Sequence, residues 1–241
     1  MSSEIPSTKP RRALGGFLVR KERWVLTWRA RFCLALVLLA AAFLVVRFIY
    51  PFLAITDRVP GQYLVVEGWI PPETLTNAVA EFRWGDYQAI VTSGTVVRGH
   101  LNMPTDETVT YANWAASDLR KLGVPEDLIH AAPCFQDRRD RTFNSAVAVK
   151  EWLADHHLPV SSIDVMTVGP HARRSRLLYQ EAFGDKVKVG VIAIPSPDYN
   201  TKRWWRYSEG VRDVLSEAIA YVYAKFFFWP SLEDEEPPAV K

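Results

Sequence analysis

Cysteine is almost missing from this chain, with two residues in 241. So few exclude a disulfide-stapled scaffold and a Cys-rich zinc site. The short motifs that would name a chemistry at once are also missing. There is no G-x-G-x-x-G, no Walker A loop, no H-E-x-x-H and no G-x-S-x-G. His100, His130 and the pair His156-His157 lack metal-ligand spacing, so neither a metal nor a cofactor is expected. No internal repeat is present. A strong net charge is missing too, but the +2 hides a split. Residues 1–56 hold nine Lys/Arg and two Asp/Glu, whereas residues 57–241 hold twenty and twenty-five. An acidic larger part argues against a nucleic-acid binder, which would show a basic stripe. With 49% apolar and 23% charged residues, the chain is neither disordered nor fibrous.

One long apolar run is present. Phe32 to Val46 carries no charge, Arg47 interrupts, and FIYPFLAI continues to Ile55. These 24 residues exceed the ~20 that span a bilayer core, and Arg47 lies where its stem can snorkel to the interface. The basic residues of 1–31 keep that end cytoplasmic by the positive-inside rule. The larger part then lies outside, in the periplasm of a Gram-negative cell. The competing reading is a cleaved signal peptide with Ala40-Ala41-Ala42 as its small-residue site; the run continuing past these alanines favours an uncleaved anchor. Cys33 then falls in the membrane and Cys134 in the outer domain, so the two cannot pair, and Cys134 is expected to be buried and inert.

Beyond a short linker, Asp57 to Gln62, strand and helix patterns alternate. Strands are expected at Tyr63–Glu67, Gln88–Thr92, Leu128–Ala132, Ile163–Val168 and Val187–Ile194. Helices are expected from Pro71-Pro72-Glu73 to Arg83, and over Pro104–Leu122, Thr142–Asp155, His171–Phe183 and Arg203–Trp229. Gly85, Gly123 and Gly184 stand at C-terminal stop positions. The alternation predicts an α/β domain over 62–229, a parallel sheet of about five strands with helices on both faces, followed by an acidic tail at 230–241. The last helix is rich in aromatics and is expected to pack on the sheet. Its alternative is that Phe226–Trp229 dips into the membrane interface.

In open parallel sheets, ligands bind beyond the carboxyl ends of the strands. Those ends bring together Glu67-Gly68-Trp69, Ser93-Gly94-Thr95, Arg139-Asp140-Arg141-Thr142 and His171 with Arg174. Arginine forks, hydroxyls and two helix N-termini suit an anion such as phosphate. The candidate ligand-binding residues are Gly68, Ser93, Gly94, Thr95, Arg139, Arg141, Thr142 and Arg174. The candidate proton-transfer residues are His171 as acid and Glu67 or Asp140 as base. Singly, each has a plainer reading as a turn or a solvated helix face; their joint placement carries the argument.

The same segments resemble the YdcF/SanA/ElyC family. The resemblance covers nearly all of 62–229 and rests on YLVVEGWIPPETL, IVTSGT, LRKLGVPEDLI, RRDRTFNSA, TVGPHARRSRLLYQEAFG and the closing RWWRYSEGVRDVLSE. Ser93-Gly94 fits a Ser-Gly-Gly element with Thr95 in place of the second glycine. Gly123-Val124-Pro125 fits, and His171 with Arg174 fits His-x-x-Arg. Thr142 fits a Thr-x-x-Asn element, but Ser145 stands in the asparagine's place, with Asn144 one position earlier. An acidic residue typical of the second helix has no clear match; Glu107, Thr110 or Tyr111 occupies that region. The resemblance implies a Rossmann-like domain. In anchored members it implies a role in cell-envelope assembly, peptidoglycan and use of the polyprenyl-phosphate carrier. In a soluble member it implies S-adenosylmethionine binding.

Three readings follow. The chain is an envelope-biogenesis factor that binds, and in one form hydrolyses, a phosphate-bearing precursor. Or it is a nucleotide or S-adenosylmethionine module, or a non-catalytic scaffold that recruits envelope-assembly proteins. The expected partners are the membrane and an anionic small molecule, not nucleic acid.

Overall fold

A computed structural model describes residues 25–97, 109–136 and 139–230, and the backbone at 12–13 and 18–19, where Arg12–Ala13 pairs antiparallel with Leu18–Val19. Two compact units divide the chain, 1–45 and 46–241. The division falls inside helix α1, Trp28–Leu53, which is long and apolar enough to cross a membrane.

Within the larger unit the strands are β1 Tyr63–Glu67, β2 Ala89–Thr95, β3 Ile129–Cys134, β4 Ser162–Val168 and β5 Lys188–Ile194. They form one all-parallel sheet in the order β3-β2-β1-β4-β5. This is the Rossmann-like α/β arrangement. The helices are α2 Leu75–Trp84, α3 Tyr111–Lys121, α4 Arg141–Asp155, α5 Ala172–Phe183 and α6 Ser208–Phe226.

The sheet is buried on both faces, so β1, β2 and β4 read as unbroken buried runs rather than alternating ones. Alternate residues still point to opposite faces. Val65, Val91 and Val165 pack with Val149, Leu153 and Tyr179 from α4 and α5. Leu64, Val66 and Ile90 pack with Val79, Ala116 and Leu119 from α2 and α3.

The sequence boundaries need three corrections. The expected helix Pro104–Leu122 begins at Tyr111, because Thr110 caps it by accepting from the Asn113 amide at 3.2 Å; residues 104–108 and the tail from 231 lie outside the described residues. The expected helix Arg203–Trp229 is two pieces, a 3-10 turn at Thr201–Arg206 and α6, separated by the extended Tyr207. The stretch from Asp57 is not a free linker, since Asp57 exchanges two backbone hydrogen bonds with Val191 on the edge strand (2.8 and 2.9 Å).

The end of α1 packs into the larger unit. Leu53 is fully buried with Tyr199, Trp204 and Val214, and Val46, Ile49 and Tyr50 pack around them. The Trp204 indole donates to the Val46 carbonyl at 3.3 Å. Arg173 donates to the Phe52 carbonyl and lies 4.0 Å over the Phe52 ring. Phe228 packs on Phe143 at 5.2 Å, as a packed last segment requires, while Phe226, Phe227 and Trp229 stay exposed.

Candidate functional site

The strand order changes direction between β1 and β4. At such a switch point the loops leave in opposite directions and open a crevice beyond the strand ends. Here the crevice is a cavity of about 510 Å3, inside the range of ordinary small-molecule sites.

Glu67 ends β1 and is 2% exposed. Three donors satisfy its carboxylate: Thr167 Oγ1 at 2.5 Å, Ser175 Oγ at 2.9 Å and Trp69 Nε1 at 3.1 Å. A buried carboxylate survives only with such partners. His171 closes the 3-10 turn Gly169–His171 after β4 and is 7% exposed. Its Nε2 lies 3.4 Å from Glu67 Oε2, within ion-pair reach, yet makes no hydrogen bond. Its Nδ1 lies 2.9 Å from Glu217 Oε1.

Glu217 sits on α6, and its second oxygen accepts from Arg174 Nε at 2.8 Å. Arg174 Nη2 reaches Glu217 Oε1 at 3.0 Å and His171 Nδ1 at 2.9 Å. A guanidinium only donates and a carboxylate only accepts. Nδ1 thus faces a donor and an acceptor at once: it donates to Glu217 when it carries a hydrogen and accepts from Arg174 when it does not, and in both cases Nε2 is the ring nitrogen without a hydrogen bond among the described residues. Burial pushes the Glu217 carboxyl up, but His171 and Arg174 outweigh it and hold the group well below the usual carboxylate range. Burial likewise works against the Arg174 charge, and the Glu217 contacts reverse it, so Arg174 titrates above its ordinary value.

The expected residues divide clearly. Glu67, Ser93, Gly94, Thr95, Asp140, Arg141, Thr142, His171 and Arg174 all line the cavity; Gly68 and Arg139 do not. A Cβ on Gly68 would lie 2.2 Å from the Tyr111 carbonyl oxygen, so this glycine is required by close packing of β1 on α3. Arg139 is exposed, and its carbonyl accepts from the Asn144 side chain at 3.0 Å. Ser93 Oγ is engaged with Tyr179 Oη at 2.8 Å. Arg174 is not a free fork for an anion: Glu217 holds it at two nitrogens, and its third points to Thr142 Oγ1 at 3.3 Å. Arg141, Thr142 and the start of α4 also line the cavity, and Asp140 holds the left-handed N-cap position there (φ 47°).

Glu217 is the residue the sequence reading missed, although it closes the quoted RWWRYSEGVRDVLSE. Its signal is visible: it is the only charge between Val214 and Ala224, and a lone acid in an apolar helical run needs a buried partner. Ser145, Tyr111 and Trp69 also line the cavity. Ser145 is thus the side chain that faces the cavity where the asparagine was expected, while Asn144 turns back to Arg139. Among the described residues no cluster of His, Cys, Asp and Glu has metal-binding geometry.

No family model, curated protein or solved structure matches the chain.

Proposed function

We propose that the chain is a membrane-anchored factor of cell-envelope assembly whose outer domain binds a phosphate-bearing precursor and cleaves its phosphate ester. The observation that carries the chemistry is His171: a buried imidazole oriented by Glu217 through Nδ1, with a free Nε2 in the wall of the cavity. A carboxylate on one ring nitrogen and an open second nitrogen is the arrangement of an acid–base catalyst.

In this reading the phosphate lies against the start of α4. The backbone N–H groups of Arg141, Thr142 and Phe143, the Arg141 side chain and the Thr95 hydroxyl hold its oxygens. A water oxygen bonds to phosphorus while the bond to the leaving oxygen breaks. His171 acts in its imidazolium form, with Nδ1–H on Glu217, and its Nε2 proton passes to the leaving oxygen. A proton from the water passes to Asp140, whose carboxylate has no partner among the described residues. Glu67 is not the base, because three donors already occupy it; it acts as a positioning residue that keeps the His171 ring in place. Arg174 positions Glu217.

The envelope setting rests on the family resemblance and on the apolar helix, with the N-terminus inside and the domain in the periplasm. The docking of that helix at Phe52 and Arg173, one residue from Arg174, supports a substrate presented at the membrane. The test is phosphate release by the full-length chain from polyprenyl-phosphate and soluble phosphate esters. Release that disappears in His171→Gln, with folding intact, is the expected result. Equal release by wild type and variant, or none from any ester, overturns the catalytic reading.

A further inference from the structure

The 3-10 turn that breaks the last helical segment has an unusual surface. Lys202, Arg203 and Arg206 are exposed, and none makes an ion pair among the described residues. Trp205 and Tyr207 are 44% and 40% exposed beside them. Cations interleaved with Trp and Tyr are the residue mixture of a membrane–water interface.

The position of this turn is fixed by one hydrogen bond. Trp204, buried at its centre, donates from Nε1 to the Val46 carbonyl. Val46 precedes Arg47, the only charge between Phe32 and Ile55. An α-helix rises about 1.5 Å per residue, so the 26 residues of α1 run ~39 Å, longer than a hydrocarbon core of ~30 Å. The surplus must emerge, and charges decide where. The 20 residues from Trp28 to Arg47 cover that core, with Arg29 and Arg31 snorkelling from the first turn to one headgroup layer and Arg47 marking the other. Val46 therefore sits at headgroup depth, and the hydrogen bond to it sets Trp204 at the same depth.

We propose that Lys202–Tyr207 is a second bilayer contact: a clamp that lies in the headgroup layer and binds anionic phospholipid. Each cation close to an anionic leaflet favours the docked state by roughly fivefold. Trp205 and Tyr207 supply the interfacial rings. The contact moves the domain's membrane-facing surface from the aromatic Phe226–Trp229 end to the opposite end of α6. It rests on α1 spanning the bilayer.

The experiment uses the full-length chain in phosphatidylcholine vesicles with and without phosphatidylglycerol, in a Cys33→Ala/Cys134→Ala background. Single environment-sensitive labels are placed at Trp205→Cys, Phe226→Cys and Trp84→Cys. Trp84 ends α2 where the strands begin, at the far end of the sheet. A fourth label, at Leu38→Cys, reports on the anchor. Nitroxide on the lipid headgroup is expected to quench the label at 205 severalfold more than those at 84 and 226. The difference grows with phosphatidylglycerol. Lys202→Gln/Arg203→Gln/Arg206→Gln removes that growth and leaves acyl-chain quenching at 38 unchanged. Equal headgroup quenching at 205 and 84, with 38 still quenched from the acyl chains, overturns the clamp and leaves the anchor. Stronger quenching at 226 than at 205 overturns it in favour of the aromatic end. A label at 38 that no acyl-chain nitroxide reaches overturns the anchor and the clamp together.

Discussion

Two carboxylates are buried in this sheet, one near each end of the strands, and their surroundings differ. Asp164 on β4 is fully buried near the ends where the strands begin. Its oxygens accept from the Val59 amide at 3.0 Å and the Tyr87 hydroxyl at 2.9 Å. It does not line the cavity beyond the strand ends, and a Cβ on Gly190 would lie 1.9 Å from Asp164 Oδ1. Glu67, at the other ends of the strands, is buried to almost the same degree. It also accepts from neutral donors, but it faces His171 across 3.4 Å and opens on the cavity. Burial alone therefore does not mark a functional acid. A neighbour that can move a proton, and space for a substrate, separate Glu67 from Asp164.

The sharpest way to break this contrast is kinetic. His171→Gln should lower phosphate-ester turnover by about 10²–10⁴-fold, the usual worth of a positioned acid–base group. Asp164→Asn, far from the chemistry, should leave turnover unchanged. Initial rates on matched, folded variants decide it; equal losses would erase the distinction between the two ends.

The next effects are on stability. Glu217→Ala strands the Arg174 guanidinium beside His171 in a largely buried site. A broken buried pair costs about 3 kcal/mol or more, and with the Glu217 side chain 16% exposed the lower figure is expected in chemical denaturation. Gly190→Ala should cost about 2 kcal/mol by overpacking, because the new methyl meets Asp164 Oδ1 and, at 2.7 Å, the Val59 amide nitrogen. A silent Gly190→Ala would show that the Asp164 end is more open than described.

The smallest effect is in pH dependence, and its sign differs between the two ends. Burial raises the Asp164 carboxyl, and the hydrogen bonds from Val59 and Tyr87 only partly offset this. The folded state then holds this proton more tightly than the unfolded state does. The Asp164 contribution therefore grows more favourable as pH falls from its raised value toward about 4, the unfolded value. Glu217 is depressed, so its contribution is complete above about 4.3 and is lost as pH falls below that. Asp164→Asn should remove the first component while changing stability at neutral pH by about 1 kcal/mol or less. Glu217→Gln should remove the second. Denaturation midpoints between neutral pH and pH 3 measure both.

Much of this was legible in the residues themselves. Five short apolar runs separated by helix signals specify a parallel α/β sheet, because only a sheet covered on both faces can bury such runs. Charge-free Phe32–Val46, bounded by Arg31 and Arg47, specifies one helix able to cross a membrane. Strand-end logic placed Glu67, Ser93, Thr95, Thr142, His171 and Arg174 around one cavity.

Other features were not legible. Boundaries failed where a side chain rather than a periodicity ends the element, as at Thr110. The pairing of Arg174 was not legible because an arginine's partner is set by what folds against it, and Glu217 arrives from 43 residues away. Nor does the sequence show that the Tyr111 carbonyl lies against Gly68, where a Cβ would come within 2.2 Å of it. The sequence by itself determined the class of fold, one helix long and apolar enough to cross a membrane, and the strand ends that surround one cavity, since these follow from local periodicity, charge and the rule that ligands bind beyond the strand ends. Only the tertiary structure decided which donor meets which acceptor: that Glu217 orients His171, that Asp164 is sealed, and that Trp204 holds Val46. Those pairings join segments distant in the chain, and hydrogen-bond geometry is fixed only when the packed elements bring them within 3 Å or so of each other.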